Sequence, residues 1–164
     1  MLNPWPMGPI QHNKVETIMT LTIRPLQVKD RNVWGQMWTD YLVFYDTDIP
    51  PQIHDITFAR LIDPNCLAQN CLVAVLDGVA VGIVHYIYHA HNWRAEDVCY
   101  LQDLFAAQHV RGQGIGRALI EAVYSAADAN GTPSVYWMTQ DFNANARLLY
   151  DRIGNLTPFI KYSR

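Results

Sequence analysis

Six residues at positions 111–116 read RGQGIG, and they constrain the fold of this chain more than any other segment. They lie between a strand-like stretch at residues 100–107 and a helix-like run that starts at Arg117. Glycines at alternate positions leave backbone N–H groups uncovered at the start of a helix, where the helix dipole adds partial positive charge. Because Arg111 and Arg117 bring further charge to the same place, this turn is typical of a phosphate or pyrophosphate site.

The spacing of the glycines distinguishes between known phosphate loops. A dinucleotide-binding fingerprint requires G-x-G-x-x-G, whereas Gly116 comes one position too early for it. An ATP-binding loop ends in Gly-Lys-Ser/Thr, whereas Arg117 and Ala118 supply neither the lysine nor the hydroxyl group for magnesium. Two interpretations remain: an R-G-x-G-x-G pyrophosphate loop, and a glycine-rich strand-to-helix turn without a ligand.

A second motif, NANARLLYDRIG, occupies residues 143–154. Helical spacing places Asn143, Ala146 and Tyr150 on one face of a helix. The two motifs, in this order and with a strand-like segment between them, resemble the GNAT superfamily of N-acetyltransferases. The first is similar to the acetyl-CoA pyrophosphate loop of that family and the second to its last helix, and the resemblance covers about residues 20–163.

The resemblance implies that acetyl-CoA is the co-substrate and that its acetyl group passes to a primary amine, such as a small amine, an amino acid or a polyamine. The amine would attack the thioester directly in a ternary complex. The phenol of Tyr150, whose ordinary pKa near 10 lies above that of a thiol, would protonate the departing thiolate. The residues that would bind the cofactor are Leu104, Phe105, Ala106, Arg111, Gly112, Gln113, Gly114, Ile115, Gly116, Arg117, Asn143 and Tyr150.

The resemblance also implies an acceptor pocket beside the first helix, where Tyr41, Tyr45 and Asp103 would bind the amine. Aromatic faces and carboxylates suit a cationic amine. The alternative is that these aromatic residues belong to the core and that the nearby aspartates, Asp46 and Asp48, form a solvated turn.

The general base stays open. Gln102 stands where the family commonly has glutamate, and an amide cannot accept the proton. Asp103 is adjacent, but strand alternation turns it to the other face from Gln102. The remaining candidates are Glu96, Asp97, His85 and a water relay.

The order of the predicted elements indicates an α/β protein with a leader without fixed structure at residues 1–19 and one domain at residues 20–164. An Asp-Gly hairpin turn at residues 77–78 joins two strands. The resemblance implies a central mixed, mostly antiparallel sheet with flanking helices, which splays at the cofactor cleft where strand 100–106 carries a bulge. The other predicted elements are strands 20–26, 134–139 and 158–162, and helices from a cap at Asp30, at 57–61, 117–129 and 143–153.

Composition excludes several classes of protein. A length of 164 residues suits one domain, and a net charge of −3 argues against a nucleic-acid binder. The apolar stretch 71–88 is interrupted by Asp-Gly, so we expect no membrane span. Three cysteines without C-x-x-C spacing, in a chain without a signal peptide, predict a cytoplasmic protein. His85, His89 and His91 lack a completing ligand spacing, so we expect no metal site.

Two other functions compete with acetyl transfer to a small amine. The missing carboxylate at position 102 would suit a non-catalytic acyl-CoA-binding regulatory module, although the retained Asn143 and Tyr150 count against it. Acetylation of a peptide or protein N-terminus would require a groove for a chain end. A homodimer paired through strand 158–162 is a further expectation.

Overall fold

The computed structural model describes residues 19–164, so the predicted leader, apart from Met19, lies outside the described residues. The strands are Leu21–Pro25 (β1), Gln69–Leu76 (β2), Val79–His89 (β3), Val98–Ala106 (β4) and Val135–Tyr136 (β5). The helices are Arg31–Phe44 (α1), Pro51–Ile62 (α2), Ile115–Ala129 (α3) and Ala144–Ile153 (α4). No helix in the described part of the chain is both long enough and apolar enough to cross a membrane.

The five strands form one sheet in the order β1-β2-β3-β4-β5. Every neighbouring pair is antiparallel except β4 and β5, which are parallel, so the prediction of a mixed, mostly antiparallel sheet is confirmed. Asp77 and Gly78 both have positive φ, at 48° and 83°, as a two-residue hairpin turn between β2 and β3 requires. Helix α3 packs on one face of the sheet through Leu119 and Val123, and helices α1 and α2 cover the other around Trp34.

Strand β4 contains the predicted bulge. His85 of β3 is paired with Asp103, whereas the next residue, Tyr86, is paired with Leu101, so Gln102 is the extra residue of β4. On its other side β4 meets β5 only at Cys99 and Tyr100. The two strands then separate, and this confirms the predicted splay.

The separation of the strands corrects two predictions. The strand expected at 134–139 is only two residues long, because residues 137–139 leave β4 and lose their partner. The last strand, expected at 158–162, does not form, and Phe159 and Ile160 are 79% and 75% exposed. Its alternating sequence suits a strand, but backbone groups need a second strand to pair with, and residues 19–164 supply none.

Two predictions near the N-terminus also need correction. Helix α2 begins at Pro51 rather than at residue 57, because proline is well suited to the first position of a helix and does not interrupt it there. Asp30 precedes α1 but makes no side-chain cap. Its carboxylate instead accepts hydrogen bonds from the Arg24 guanidinium at 2.6 and 2.9 Å and from the backbone N–H of Gln27 at 2.9 Å.

The Arg24–Asp30 pair anchors β1 to the start of α1, and its loss should be measurable. We expect Asp30→Asn to lower the free energy of unfolding at pH 7 by about 2–3 kcal/mol, because a buried charged acceptor is lost while Arg24 remains. The hydrogen bonds from Arg24 lower the pKa of Asp30 from its ordinary value. The stabilisation is therefore present above about pH 4 and is lost as the pH falls through the depressed pKa of the folded state.

Urea unfolding at neutral and acidic pH measures this effect. The wild type should lose more stability on acidification than Asp30→Asn. Parallel acid profiles for the two proteins would contradict the assignment.

Candidate active site at the splayed strands

The turn at residues 111–116 has the geometry that its sequence predicts. Gly112 and Gly114 have φ values of 79° and 84°, a left-handed conformation in which a side chain would be strained. Helix α3 starts two residues earlier than predicted, and its first bond runs from the N–H of Ala118 to the carbonyl of Gly114 at 3.0 Å. Within residues 19–164 the N–H groups of Gly112, Gly114 and Gly116 make no backbone hydrogen bond. The turn therefore offers uncovered donors at a helix N-terminus, which fits a pyrophosphate.

The two arginines of the turn make only weak contacts. Arg111 donates from Nε to the carbonyl of Ala106 at 3.4 Å, and Arg117 is 3.4 Å from Glu121 one helical turn later. Both arginines and Gln113 are exposed, whereas the Ile115 side chain is buried in the core. Both guanidinium groups can therefore turn towards an anion on the loop.

The outer edge of β4 presents backbone groups beside this turn. The N–H of Ala107 donates to the carbonyl of Val81 in β3, so in this antiparallel ladder Ala107 and Phe105 direct their backbone groups at β3. Leu104 and Ala106 consequently direct theirs away from β3, towards the gap left by β5. The predicted backbone contacts to an extended ligand can therefore come from Leu104 and Ala106, while the backbone of Phe105 is taken up by the sheet.

A small pocket lies where β4 and β5 separate. Five of its lining residues were singled out from the sequence: Tyr41 and Tyr45 at the end of α1, Gln102 and Leu104 of β4, and Tyr150 of α4. The complete lining is Tyr41, Tyr45, Leu101, Gln102, Leu104, Trp137, Met138 and Tyr150. The structure therefore brings the predicted acid and two of the predicted acceptor residues into one pocket, at the edge of β4.

Tyr150 is held in the pocket wall by aromatic contacts. Its ring meets the Trp137 ring edge-on, with the centroids 5.5 Å apart. Burial, with a smaller contribution from Tyr45, raises the pKa of Tyr150 to about 12. The phenol is therefore protonated at neutral pH and can donate its proton to an anion formed in the pocket.

Asn143 stands one residue before the start of α4, close to the predicted helix boundary. It is the N-cap, with its side chain accepting from the N–H of Ala146 at 3.4 Å and donating to Thr139 at 3.3 Å. It therefore fixes the start of the helix that carries Tyr150. An asparagine is among the preferred N-cap residues for this reason.

Asp103 is buried beside the pocket without lining it. Its carboxylate is 2.8 Å from Nδ1 of His85, on the sheet face covered by α1, whereas Gln102 is exposed on the pocket side. The predicted alternation is interrupted here by the bulge at Gln102, because Leu101 packs in the cluster with α3, whereas Asp103, two residues later, pairs with His85 on the other face. Glu96 and Asp97 are exposed in the loop before β4, and neither lines the pocket.

The other polar residues weighed from the sequence lie elsewhere. Asp48 lines a separate open groove between α1 and α2, and Asp46 is exposed. His89 contacts the Tyr136 hydroxyl at 3.0 Å, and His91 lies near Trp93. Within residues 19–164 no three metal-ligating side chains are grouped for a metal ion.

Sequence reasoning missed the wall formed by Trp137 and Met138. Trp137 packs so closely on the end of α4 that a Cβ at Gly154 would lie 2.5 Å from its ring. The available signal was the conjunction of a tryptophan in a strand and a glycine at the end of the motif helix. From the sequence alone both residues are assigned to the core. The separation of β5 from β4 directs the Trp137 indole towards α4.

Three comparisons relate this geometry to known proteins. The model of the acetyltransferase (GNAT) family matches residues 32–154. The chain is 39% identical over 145 residues to the D-amino-acid N-acetyltransferase HPA3 of Saccharomyces cerevisiae, with 88% of this chain and 90% of the yeast protein aligned. It is 31% identical over 78 residues to the L-ornithine N5-acetyltransferase NATA1 of Arabidopsis thaliana, covering 48% of this chain and 34% of the plant protein.

The fold has solved counterparts. The aminoglycoside N-acetyltransferase AAC(6')-Iy, in complex with CoA, superimposes with a TM-score of 0.79 at 17% identity, over 92% of this chain and 97% of that one. The ribosomal-protein-alanine N-acetyltransferase from Brucella melitensis biovar Abortus gives a TM-score of 0.73 at 19% identity, over 88% and 98%. At such low identity these similarities concern the fold alone.

Proposed function

Because this chain belongs to the acetyltransferase (GNAT) family, in which acetyl-CoA donates an acetyl group to an amine, we propose that its acceptor is a small primary amine. Amino acids are the first class to test, followed by polyamines and other small amines. The similarity to the yeast D-amino-acid N-acetyltransferase over almost the whole of both chains supports this order. The acceptor attacks the thioester directly, in a ternary complex.

The observation that carries the proposal is the convergence of three tyrosines beside the open edge of β4. Tyr41 lies in α1 and Tyr45 directly follows it, with ring centroids 4.9 Å apart, and Tyr150 comes from α4. Aromatic faces attract an ammonium group.

The residues divide the reaction between binding and proton transfer. The N–H groups of the turn at 111–116, with Arg111 and Arg117, would hold the pyrophosphate. The edge groups of Leu104 and Ala106 would pair with the amides of the pantetheine arm, as an added strand does. This places the thioester beside Tyr150, whose proton passes to the sulfur as the carbon–sulfur bond breaks. Positioning the two reactants supplies much of the rate enhancement.

Release of free thiol from acetyl-CoA tests the proposed function. The purified protein is given D- and L-amino acids, polyamines, aminoglycosides and peptides with a free N-terminus or lysine, each against a blank without acceptor. We expect release with small amines above the blank. Release only with peptides would move the assignment to a peptide N-acetyltransferase, and binding of acetyl-CoA without release would favour the non-catalytic module.

The exposed C-terminal segment supports a homodimer as a further part of the proposal. Leu156, Phe159, Ile160 and Tyr162 are all at least 75% exposed, and exposed apolar side chains grouped in one segment are typical of an interaction site. A second copy of the chain is its proposed partner. Sedimentation of the full chain should give a dimer, and Phe159→Asp together with Ile160→Asp should give a monomer.

A cytoplasmic location is also part of the proposal, and the three free cysteine thiols are compatible with it.

A further inference from the structure

Three buried side chains form a hydrogen-bonded chain behind the acceptor pocket. The indole Nε1 of Trp34 in α1 donates to Nε2 of His85 in β3 at 2.8 Å. Nδ1 of His85 is 2.8 Å from the Asp103 carboxylate in β4. Trp34, His85 and Asp103 are 0%, 6% and 8% exposed, so water does not compete for these bonds.

The donors determine the tautomer of His85. An indole N–H can only donate, so Nε2 of His85 must be the acceptor and carries no proton. A neutral imidazole then has its proton on Nδ1, where it donates to the Asp103 carboxylate. The carboxylate therefore receives one fixed hydrogen bond from within the core, and its remaining lone pairs are available to the neighbouring α1.

Tyr41 of α1 lies near this carboxylate, and burial together with the charge of Asp103 raises the pKa of its hydroxyl. The hydroxyl has one proton, so a Tyr41 that gives this proton to Asp103 can act towards the pocket only as an acceptor. Tyr41 also lines the pocket that contains Tyr150, which places this oxygen where an amine would enter.

We propose that His85 is a positioning residue of the reaction: it holds the Asp103 carboxylate against the Tyr41 hydroxyl, so that Tyr41 accepts a hydrogen bond from the attacking amine. The inference rests on the proposed function and supplies the base that the sequence left open. Trp34 fixes the tautomer of His85, His85 orients Asp103, and Asp103 orients Tyr41. Each hydrogen bond in this chain is donated towards Asp103, including the one from the amine through Tyr41.

The same chain accounts for the proton that the amine must lose. As the nitrogen lone pair of the neutral amine forms the bond to the thioester carbon, an N–H proton passes to the Tyr41 oxygen and the Tyr41 proton passes to Asp103. When the carbon–sulfur bond breaks, the sulfur receives the proton of Tyr150. His85 keeps its Nδ1 proton throughout. Asp103 returns its proton to solvent through Tyr41, and Tyr150 is reprotonated from solvent, so the cycle closes.

Substitutions at His85 and Tyr41 test the inference through kcat. We expect His85→Leu and Tyr41→Phe each to lower kcat by about 100-fold, within the range of general acid–base contributions, with little change in the Kd of acetyl-CoA. His85→Asn keeps a donor in the place of Nδ1 and should return kcat to within about 10-fold of the wild type. Because His85 and Tyr41 act as a unit, the Tyr41→Phe, His85→Leu double variant should also have a kcat no more than about 100-fold below that of the wild type.

Phe58→Leu provides the matched control. Phe58 packs on the same Trp34 ring, with the centroids 5.2 Å apart, but it belongs to no link of the hydrogen-bonded chain. This variant loosens the packing around the Trp34 ring. It should leave kcat within about 3-fold of the wild type, because no catalytic group moves. The inference would be overturned if the two losses in kcat multiplied in the Tyr41→Phe, His85→Leu double variant. A His85→Asn variant that binds acetyl-CoA normally and is as slow as His85→Leu would also overturn it.

A readout that does not depend on activity separates this inference from the proposed function. The side-chain ¹⁵N spectrum of the full chain should contain one histidine, absent in His85→Asn, with a protonated Nδ1 and an unprotonated Nε2. The opposite tautomer, or a doubly protonated ring at neutral pH, would overturn the positioning role even if thiol release is normal. If the wild type has the expected tautomer but releases no thiol, the proposed function is overturned. The catalytic role of Trp34, His85, Asp103 and Tyr41 is then overturned with it.

Discussion

Tyr150→Phe is expected to lower kcat by about 10²–10⁴-fold, the range associated with the loss of a general acid, while the Kd of acetyl-CoA changes by less than about 3-fold. The phenyl ring retains the edge-on contact with Trp137, so only the proton donor is removed. The raised pKa of about 12 keeps the wild-type hydroxyl protonated at the pH of the assay. Steady-state rates at saturating acceptor, with acetyl-CoA binding measured by calorimetry, give the two quantities separately.

Tyr124→Phe is the matched control for this prediction. The Tyr124 hydroxyl donates to the carbonyl of Ile153 at 2.8 Å and so anchors the end of α4 without entering the pocket. We expect its loss to cost about 1 kcal/mol of stability and to leave kcat nearly unchanged. If Tyr124→Phe were as slow as Tyr150→Phe, the position of α4 rather than the proton of Tyr150 would account for the loss.

Gly114→Asp is expected to weaken acetyl-CoA binding by about 100-fold, the equivalent of one or two charge-assisted hydrogen bonds. Gly114 immediately precedes α3 with φ of 84°, and a Cβ added there meets no atom within 4 Å. A carboxylate at this position repels the pyrophosphate and competes for the same N–H groups. A side chain at this left-handed position is strained, although aspartate adopts the conformation more readily than most residues, so a modest loss of stability should accompany the larger change in Kd.

Gly114→Asn separates charge from shape. The asparagine side chain has the same size and tolerates the same backbone conformation, but it carries no charge. We expect it to weaken binding by about 10-fold or less, since the helix dipole and the arginines still attract the anion. Equal Kd values for the two variants would contradict an electrostatic role for the turn, and unchanged binding in both would place the pyrophosphate elsewhere.

The elements of the fold that could be predicted are those whose conformation depends on a few neighbouring residues. The Asp77-Gly78 hairpin and the 111–116 turn were predicted from a few residues, because their backbone conformations require residues that tolerate positive φ. The strand at 158–162 was predicted wrongly, because a local alternation says nothing about whether a partner strand is within reach.

The same distinction applies to the site. Tyr150 could be named from a motif, and Tyr41 and Tyr45 from the resemblance to the family, although the sequence did not indicate that the three share a pocket. His85 and Asp103 were considered separately as bases, 18 residues apart, and their pairing depends on the β3–β4 register and its bulge. Trp34 gave no signal, since an indole in a helix reads as core until its N–H is seen to have a partner.

Direct transfer is tested by an initial-rate matrix in which acetyl-CoA and the best acceptor are both varied, with thiol and N-acetylated amine measured in each reaction. We expect reciprocal plots that intersect, and equal amounts of thiol and acetylated amine, because both substrates occupy the cleft beside Tyr150 before the acetyl group moves. Parallel plots with an acetylated form of the protein, or thiol without acetylated amine, would contradict direct transfer at this site.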